Sequence, residues 1–210
     1  MKAPTVGARA DSARRGGESF LTFMLRRPSD ARLRSFLQTR KDAPFTYDDV
    51  GASKAGAPGG YVADHNRAKL GEGGEAFERA VEALRWWRMF DLGWVDIFPP
   101  EVPIEVGTVV SVVARTFGLW SVNPCCVVHV VEEPRRFGFA YGTLPGHAAR
   151  GEERFTVEWR EDGSVHYEIL AFSRPGPVMK LGYPFARRFQ RRFAQDSLRA
   201  MADSVSCVSC

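Results

Sequence analysis

The residues whose types and spacing suit chemistry fall in one stretch, Tyr141-Gly-Thr-Leu-Pro-Gly-His-Ala-Ala-Arg-Gly-Glu-Glu-Arg-Phe155. It holds a histidine, two arginines and a vicinal pair of glutamates between two strand-like runs. A carboxyl group taken out of water has its neutral form favoured, which suits a general acid or base. An imidazole exchanges its proton near neutrality. Glu153 with His147 is therefore the candidate catalytic pair. The stretch reads as a hairpin loop. Hairpins need only two to five linking residues, so this loop is longer and more polar than connection alone requires.

Strand parity orients these groups. On a strand over 152–160, Glu153, Phe155, Val157 and Trp159 share a face. Three of the four are large and apolar, so that face is inward; Glu153 opens the row at a pocket rim and Glu152 points out. On a strand over 164–173, Tyr167 is the polar member of the row Val165, Tyr167, Ile169 and Ala171. Before the loop, Phe137, Phe139 and Tyr141 alternate with Gly138, Ala140 and Gly142. One face is aromatic and the other is bare enough for a helix or a ligand to approach closely. The candidate ligand-binding residues are Tyr141, Tyr167, Phe139 and Trp159 from these rows, Arg150 from the loop, and Phe185 and Phe189 from the closing helix. In the plainer reading Glu153 pairs with Arg150 or Arg154 to tie the loop, and His147 makes a loop-fixing hydrogen bond.

Other chemistries find less support. His65, His129 and His166 lie on different strands, and no spacing groups them with Glu152 and Glu153 as ligands. No metal and no cofactor is expected. Gly-x-Ser-x-Gly and phosphate-loop patterns do not occur, and Gly71-Glu-Gly-Gly74 has the wrong spacing for a dinucleotide turn. Cys125-Cys126 reads as two small buried hydrophobes. Cys207-Val-Ser-Cys210 lacks a second pair for a metal, and Ser209 breaks a prenylation pattern.

The elements that must position these groups follow from periodicity. Two short helices are expected over Glu18–Arg27 and Ser29–Arg40, separated by Pro28. Asp42–Gly60 reads as a Gly-, Ala- and Pro-rich linker. A strand over Tyr61–Leu70 precedes an amphipathic helix over Glu75–Phe90. A meander follows over Thr108–Arg115, Cys126–Glu132, Arg135–Thr143, Glu152–Arg160 and Ser164–Ser173, with a turn at Asn123-Pro124 and an Asp-Gly hairpin at 162–163. A long helix over Val178–Asp203 closes the chain, with Leu181, Phe185, Phe189 and Phe193 at four-residue spacing. The fold class is α+β: a curved antiparallel sheet wrapped on a long C-terminal helix, the helix-grip arrangement, with an N-terminal helical extension. The domain reading is 1–17 disordered or targeting, 18–44 helical extension, 45–203 a single domain and 204–210 a flexible tail.

Composition bounds the partners. The chain has 210 residues and a net charge of +4. Residues 1–41 carry 10 basic and 3 acidic residues, and 178–203 carry 6 and 2, so the body between is acidic. Basic ends without an interleaved aromatic platform make a weaker case for nucleic-acid binding, and no nucleic-acid partner is expected. No apolar run reaches the roughly 18 residues of a membrane span. No signal-peptide core is visible, and the cytoplasm is the expected compartment, with 1–17 also compatible with an organelle transit peptide.

Several segments together resemble the Domain of Unknown Function 1990 family, also called Uncharacterised Protein Family 0548. They are Phe45-Thr-Tyr-Asp-Asp-Val-Gly51, Arg85-Trp-Trp-Arg-Met-Phe90, Pro145-Gly-His-Ala-Ala-Arg-Gly-Glu-Glu153, Phe172-Ser-Arg-Pro175 and the Arg-rich closing helix. The resemblance spans roughly Phe45 to Met201 and implies a relative of the Bet v 1 and START-like fold. It implies no activity. The expected function is binding of a small apolar or amphipathic molecule, such as a lipid, isoprenoid or aromatic metabolite. One alternative is an enzyme on the same fold using Glu153 and His147. The other is an adaptor whose Arg-rich helix meets an acidic surface. Oligomeric state is left open.

Overall fold

The computed structural model describes residues 23–175 and 183–206. Seven strands form one antiparallel sheet in the order β1-β7-β6-β5-β4-β3-β2. They are β1 (Val62–Glu72), β2 (Val95–Phe98), β3 (Val109–Thr116), β4 (Leu119–Glu133), β5 (Arg136–Thr143), β6 (Ala149–Trp159) and β7 (Ser164–Pro175). The helices are α1 (Asp30–Gln38), α2 (Gly73–Arg85) and α3 (Tyr183–Ser206). The sheet curls around α3 and α2 in the expected helix-grip arrangement, and the fold is α+β.

The concave face buries the main core. Leu70, Phe137, Phe139, Phe155, Val157, Val165, Tyr167 and Ile169 from the strands meet Ala80 and Leu84 of α2 and Ala194, Met201 and Val205 of α3. α2 ends at Arg85 rather than running to Phe90. Trp87 adopts φ 56°, which turns its ring into the core against Phe139 with centroids 4.9 Å apart. The indole N–H then donates to the Val102 carbonyl at 2.9 Å.

The convex face is also covered, which the sequence pattern did not show. α1 is capped by the Ser29 hydroxyl, which accepts from the Arg32 amide, a preferred residue at that position. Its Leu33, Phe36 and Leu37 pack on Phe98, Val113 and Val122. Of the two helices expected over 18–44, this is the one found among the described residues, which begin at 23. Residues 23–27 are not helical; Met24 pairs with Trp120 as an antiparallel bridge. Residues 42–60 are no linker either. They lie against β4–β7, with a 3-10 turn at Ala52–Lys54.

Three further strand features differ from expectation. β2 was not anticipated, being four residues long between Gly93 and Pro99. Asn123-Pro124 is no turn but lies within β4, opposite Val112 and Ser111. Pro124 is tolerated there because β5 ends at Thr143, opposite Cys125, so no partner needs the missing N–H. β6 begins at Ala149, so only Leu144–Ala148 link β5 and β6. The long loop is thus an ordinary five-residue connection, and Arg150, Glu152 and Glu153 are strand residues. Leu181, Cys207, Cys210 and the proposed 1–17 segment lie outside the described residues, and so does the side chain of Phe185.

Because Leu33 is fully buried on the convex face, Leu33→Ala is expected to lower stability by about 2–5 kcal/mol. Denaturant unfolding measures this. A loss under about 0.5 kcal/mol would mean that α1 is an appendage.

Candidate functional site

The vicinal glutamates of β6 point to opposite faces, and both are enclosed by protein. Glu153 faces the concave side, where a cavity of about 870 Å³ lies between the sheet and α3. Its walls include Val95, Val112, Phe117, Ile169, Phe189 and Phe193. Tyr141, directly opposite Glu153 in the β5–β6 ladder, donates its hydroxyl to Glu153 Oε2 at 2.6 Å. Burial pushes the Glu153 carboxyl up to about 7, a rise the Tyr141 hydrogen bond opposes. The Tyr141 hydroxyl is driven well above its ordinary value, first by burial and then by the Glu153 charge.

Neither arginine ties Glu153. Arg154 lies on the other face, where it donates to the Ser53 carbonyl at 2.6 Å and to Glu168 at 2.7 Å. Arg150 is exposed, opposite Arg174. His147 makes the local bond of the plainer reading. Its Nδ1 lies 2.9 Å from the Ala149 amide nitrogen and 3.1 Å from the Ala149 carbonyl oxygen. Burial lowers its pKa to about 4. His147, Tyr141, Glu153 and Phe189 all line the cavity. Phe139 and Tyr167 are instead buried in the core, and the Tyr167 hydroxyl is 3.0 Å from that of Ser197 on α3. Trp159 packs on Phe77 of α2. These three, with Arg150, are not among the cavity walls.

Glu152 is the residue that sequence reasoning misplaced. It faces away from the cavity as parity requires, but it is only 3% exposed. Four donors from residues 47–53 converge on it. The Tyr47 hydroxyl and the Gly51 amide reach Oε2 at 2.7 Å each. The Ser53 amide reaches Oε1 at 3.1 Å, and the Ser53 hydroxyl donates to the same atom. Having given its proton to Glu152, that hydroxyl accepts from His129, whose Nε2 is 3.0 Å away. Burial keeps the His129 pKa below its usual value, against the pull of Glu152. Gly51 adopts φ 85°, a region favouring glycine. The Tyr47 ring rests on Gly142, where an added Cβ would come within 2.2 Å of the hydroxyl. The bare face thus admits neither helix nor ligand, but the segment read as a linker. Tyr47, Gly51, Ser53 and His129 were all missed. The available signal was that two recognisable segments, 45–51 and 145–153, supply the two halves of one contact.

Among the described residues, no three His, Cys, Asp or Glu side chains group as a metal site. No helix there is long and apolar enough to cross a membrane.

Two outcomes follow from the paired glutamates. Glu152→Ala leaves the two amides and the Tyr47 hydroxyl without acceptors and is expected to cost about 3–5 kcal/mol, measured by denaturant unfolding. Glu153 behaves oppositely. Its folded pKa lies above the unfolded value, so the folded state binds the extra proton and stability falls as pH rises from about 4.5 to about 7. The groups facing it are Tyr141, Cys125, Asp64 and Tyr167. Glu153→Gln removes this loss, so its melting temperature should gain on that of the parent across the window. Parallel melting curves at all pH values would contradict the assignment.

Comparison with known proteins agrees with the architecture. A UPF0548 protein of Dictyostelium discoideum is 33% identical over 206 residues, covering 87% of this chain and 95% of its own. A UPF0548 protein of Deinococcus radiodurans is 35% identical over 198 residues, covering 88% and 100%. A hypothetical protein from Helicobacter pylori of known crystal structure superimposes with a TM-score of 0.51 at 16% identity, over 77% of this chain and 98% of that one. That likeness is one of fold. The family model described as domain of unknown function (DUF1990) matches residues 46–200, and the chain belongs to that family.

Proposed function

We propose that this protein binds a small amphipathic molecule in the cavity between the sheet and α3, the apolar body of the ligand lying along the walls and its polar end at Glu153 and Tyr141. The observation that carries the reading is the cavity itself. Protein interiors are close-packed, and a space of about 870 Å³ with one hydrogen-bonded carboxyl in an apolar wall is of the size and character of ligand pockets. A lipid, isoprenoid or aromatic metabolite fits this character.

The Arg-rich helix supports an acidic-surface adaptor less well. Arg187 forms a two-pronged pair with Asp64, with one N–O distance of 2.7 Å. Arg192 and Arg199 both reach Asp196, which also accepts from the Trp94 indole at 3.0 Å. Three of the five basic residues of the helix therefore serve internal pairs. The enzymatic alternative draws on Glu153, whose pKa of about 7 suits proton transfer near neutrality. His147 is the weaker partner, since its Nδ1 is engaged by the Ala149 backbone.

Native mass spectrometry of freshly purified protein tests the binding reading. A co-purified small molecule is expected. Ala171→Trp, which places an indole in the cavity from the β7 position paired with Glu153, should remove that mass while the chain stays folded. Retention of the molecule by this variant would place it elsewhere.

A further inference from the structure

Resting on that reading, we infer that the cavity selects an amphiphile whose head is a protonated amine, and rejects carboxylate and phosphate heads. The other polar groups of the wall are largely committed to the protein. Asp64 is taken by Arg187. The Asn123 amide nitrogen donates to the Val112 carbonyl and the Ser121 hydroxyl, both at 3.2 Å. The Ser173 hydroxyl accepts from Gln190 at 3.4 Å, and the Thr143 hydroxyl accepts from the Gly151 amide at 3.0 Å.

Glu153 differs from all of these. Among the described residues no basic side chain forms an ion pair with it; its partner is the Tyr141 hydroxyl, which engages Oε2. A carboxylate has about four acceptor sites, so one hydrogen bond leaves most of its capacity open. The carboxyl lies deep within the protein yet keeps some accessible surface, and it lines the cavity. Its remaining acceptors are thus presented to whatever enters.

The surroundings favour a cation over a neutral donor. Asp64 acts on Glu153 as a like charge but is offset by its own pair with Arg187, so the charge presented to a head group is that of Glu153. Tyr141, Phe193 and Phe189 contribute aromatic rings to the same wall, and ring faces attract ammonium groups. The cationic wall residue Arg191 is exposed to solvent. A carboxylate head brought to Glu153 would meet a like charge in a poorly screened space. A phosphate would fare worse.

The net charge of the chain sharpens the test. At +4 overall, general electrostatics attracts anionic amphiphiles, so a preference for a cation must come from the cavity. The probes are dodecylamine, dodecanol and dodecanoate, which share one chain and differ in head. Each is titrated into the purified protein below its micelle concentration at about pH 8, where Glu153 is ionised and the amine protonated. Dodecylamine is expected to bind at least about ten-fold tighter than dodecanoate, with dodecanol between. Glu153→Gln, which keeps a partner for Tyr141, should bring the amine down to the level of the alcohol. If dodecanoate binds as tightly as the amine, or the amine's advantage survives in Glu153→Gln, the head-group assignment is overturned while the cavity reading stands. If none of the three binds, both fall.

Discussion

The Glu152 carboxylate is the contact on which the rest of the structure depends. It accepts from Tyr47, Gly51 and twice from Ser53, and so holds a stretch of irregular chain flat against the sheet. It also fixes the phase of β6. Strand side chains alternate, and a slip of one residue would exchange the two faces. With Glu152 locked on the convex side, Glu153 must enter the cavity. One buried carboxylate sets the register and the other faces the cavity, and their adjacency couples the two roles.

The two carboxyl groups show how surroundings rather than residue type decide behaviour. Glu152 has four donors on two oxygens. Such an arrangement compensates for burial of charge. Glu153 has one donor and an apolar wall, and burial dominates. A fully satisfied group is locked in place, whereas a group with spare acceptors is able to bind something else. The same contrast separates the tyrosines: Tyr47 and Tyr167 are built into the structure, and Tyr141 stands at the cavity.

Much of this was legible in the sequence. Alternation placed Phe139, Tyr141 and Glu153 on one face, and the phenylalanine spacing announced the closing helix. What was not legible came from tertiary pairing. Ala149-Arg-Gly151 has little strand character, yet it pairs with Pro175, Arg174 and Ser173, and the ladder overrides the local preference. Pro124 reads as a turn until the end of β5 is known. Residues 42–60 have the composition of a linker, because a segment held by backbone amides on one carboxylate needs no hydrophobic pattern. Glu152 looked solvent-exposed because parity says which face a side chain takes, not what covers that face.

Met24, joined to Trp120 by a backbone bridge, brings Phe23 to the cavity wall. This corner lies upstream of the residues that the family model matches, which begin at 46. The latch around Glu152 is wholly inside that region. The entrance and the register-setting contact are thus built by different segments of the chain, the first before residue 46 and the second after it. A change in the leading segment then alters what the cavity admits without disturbing the strand register.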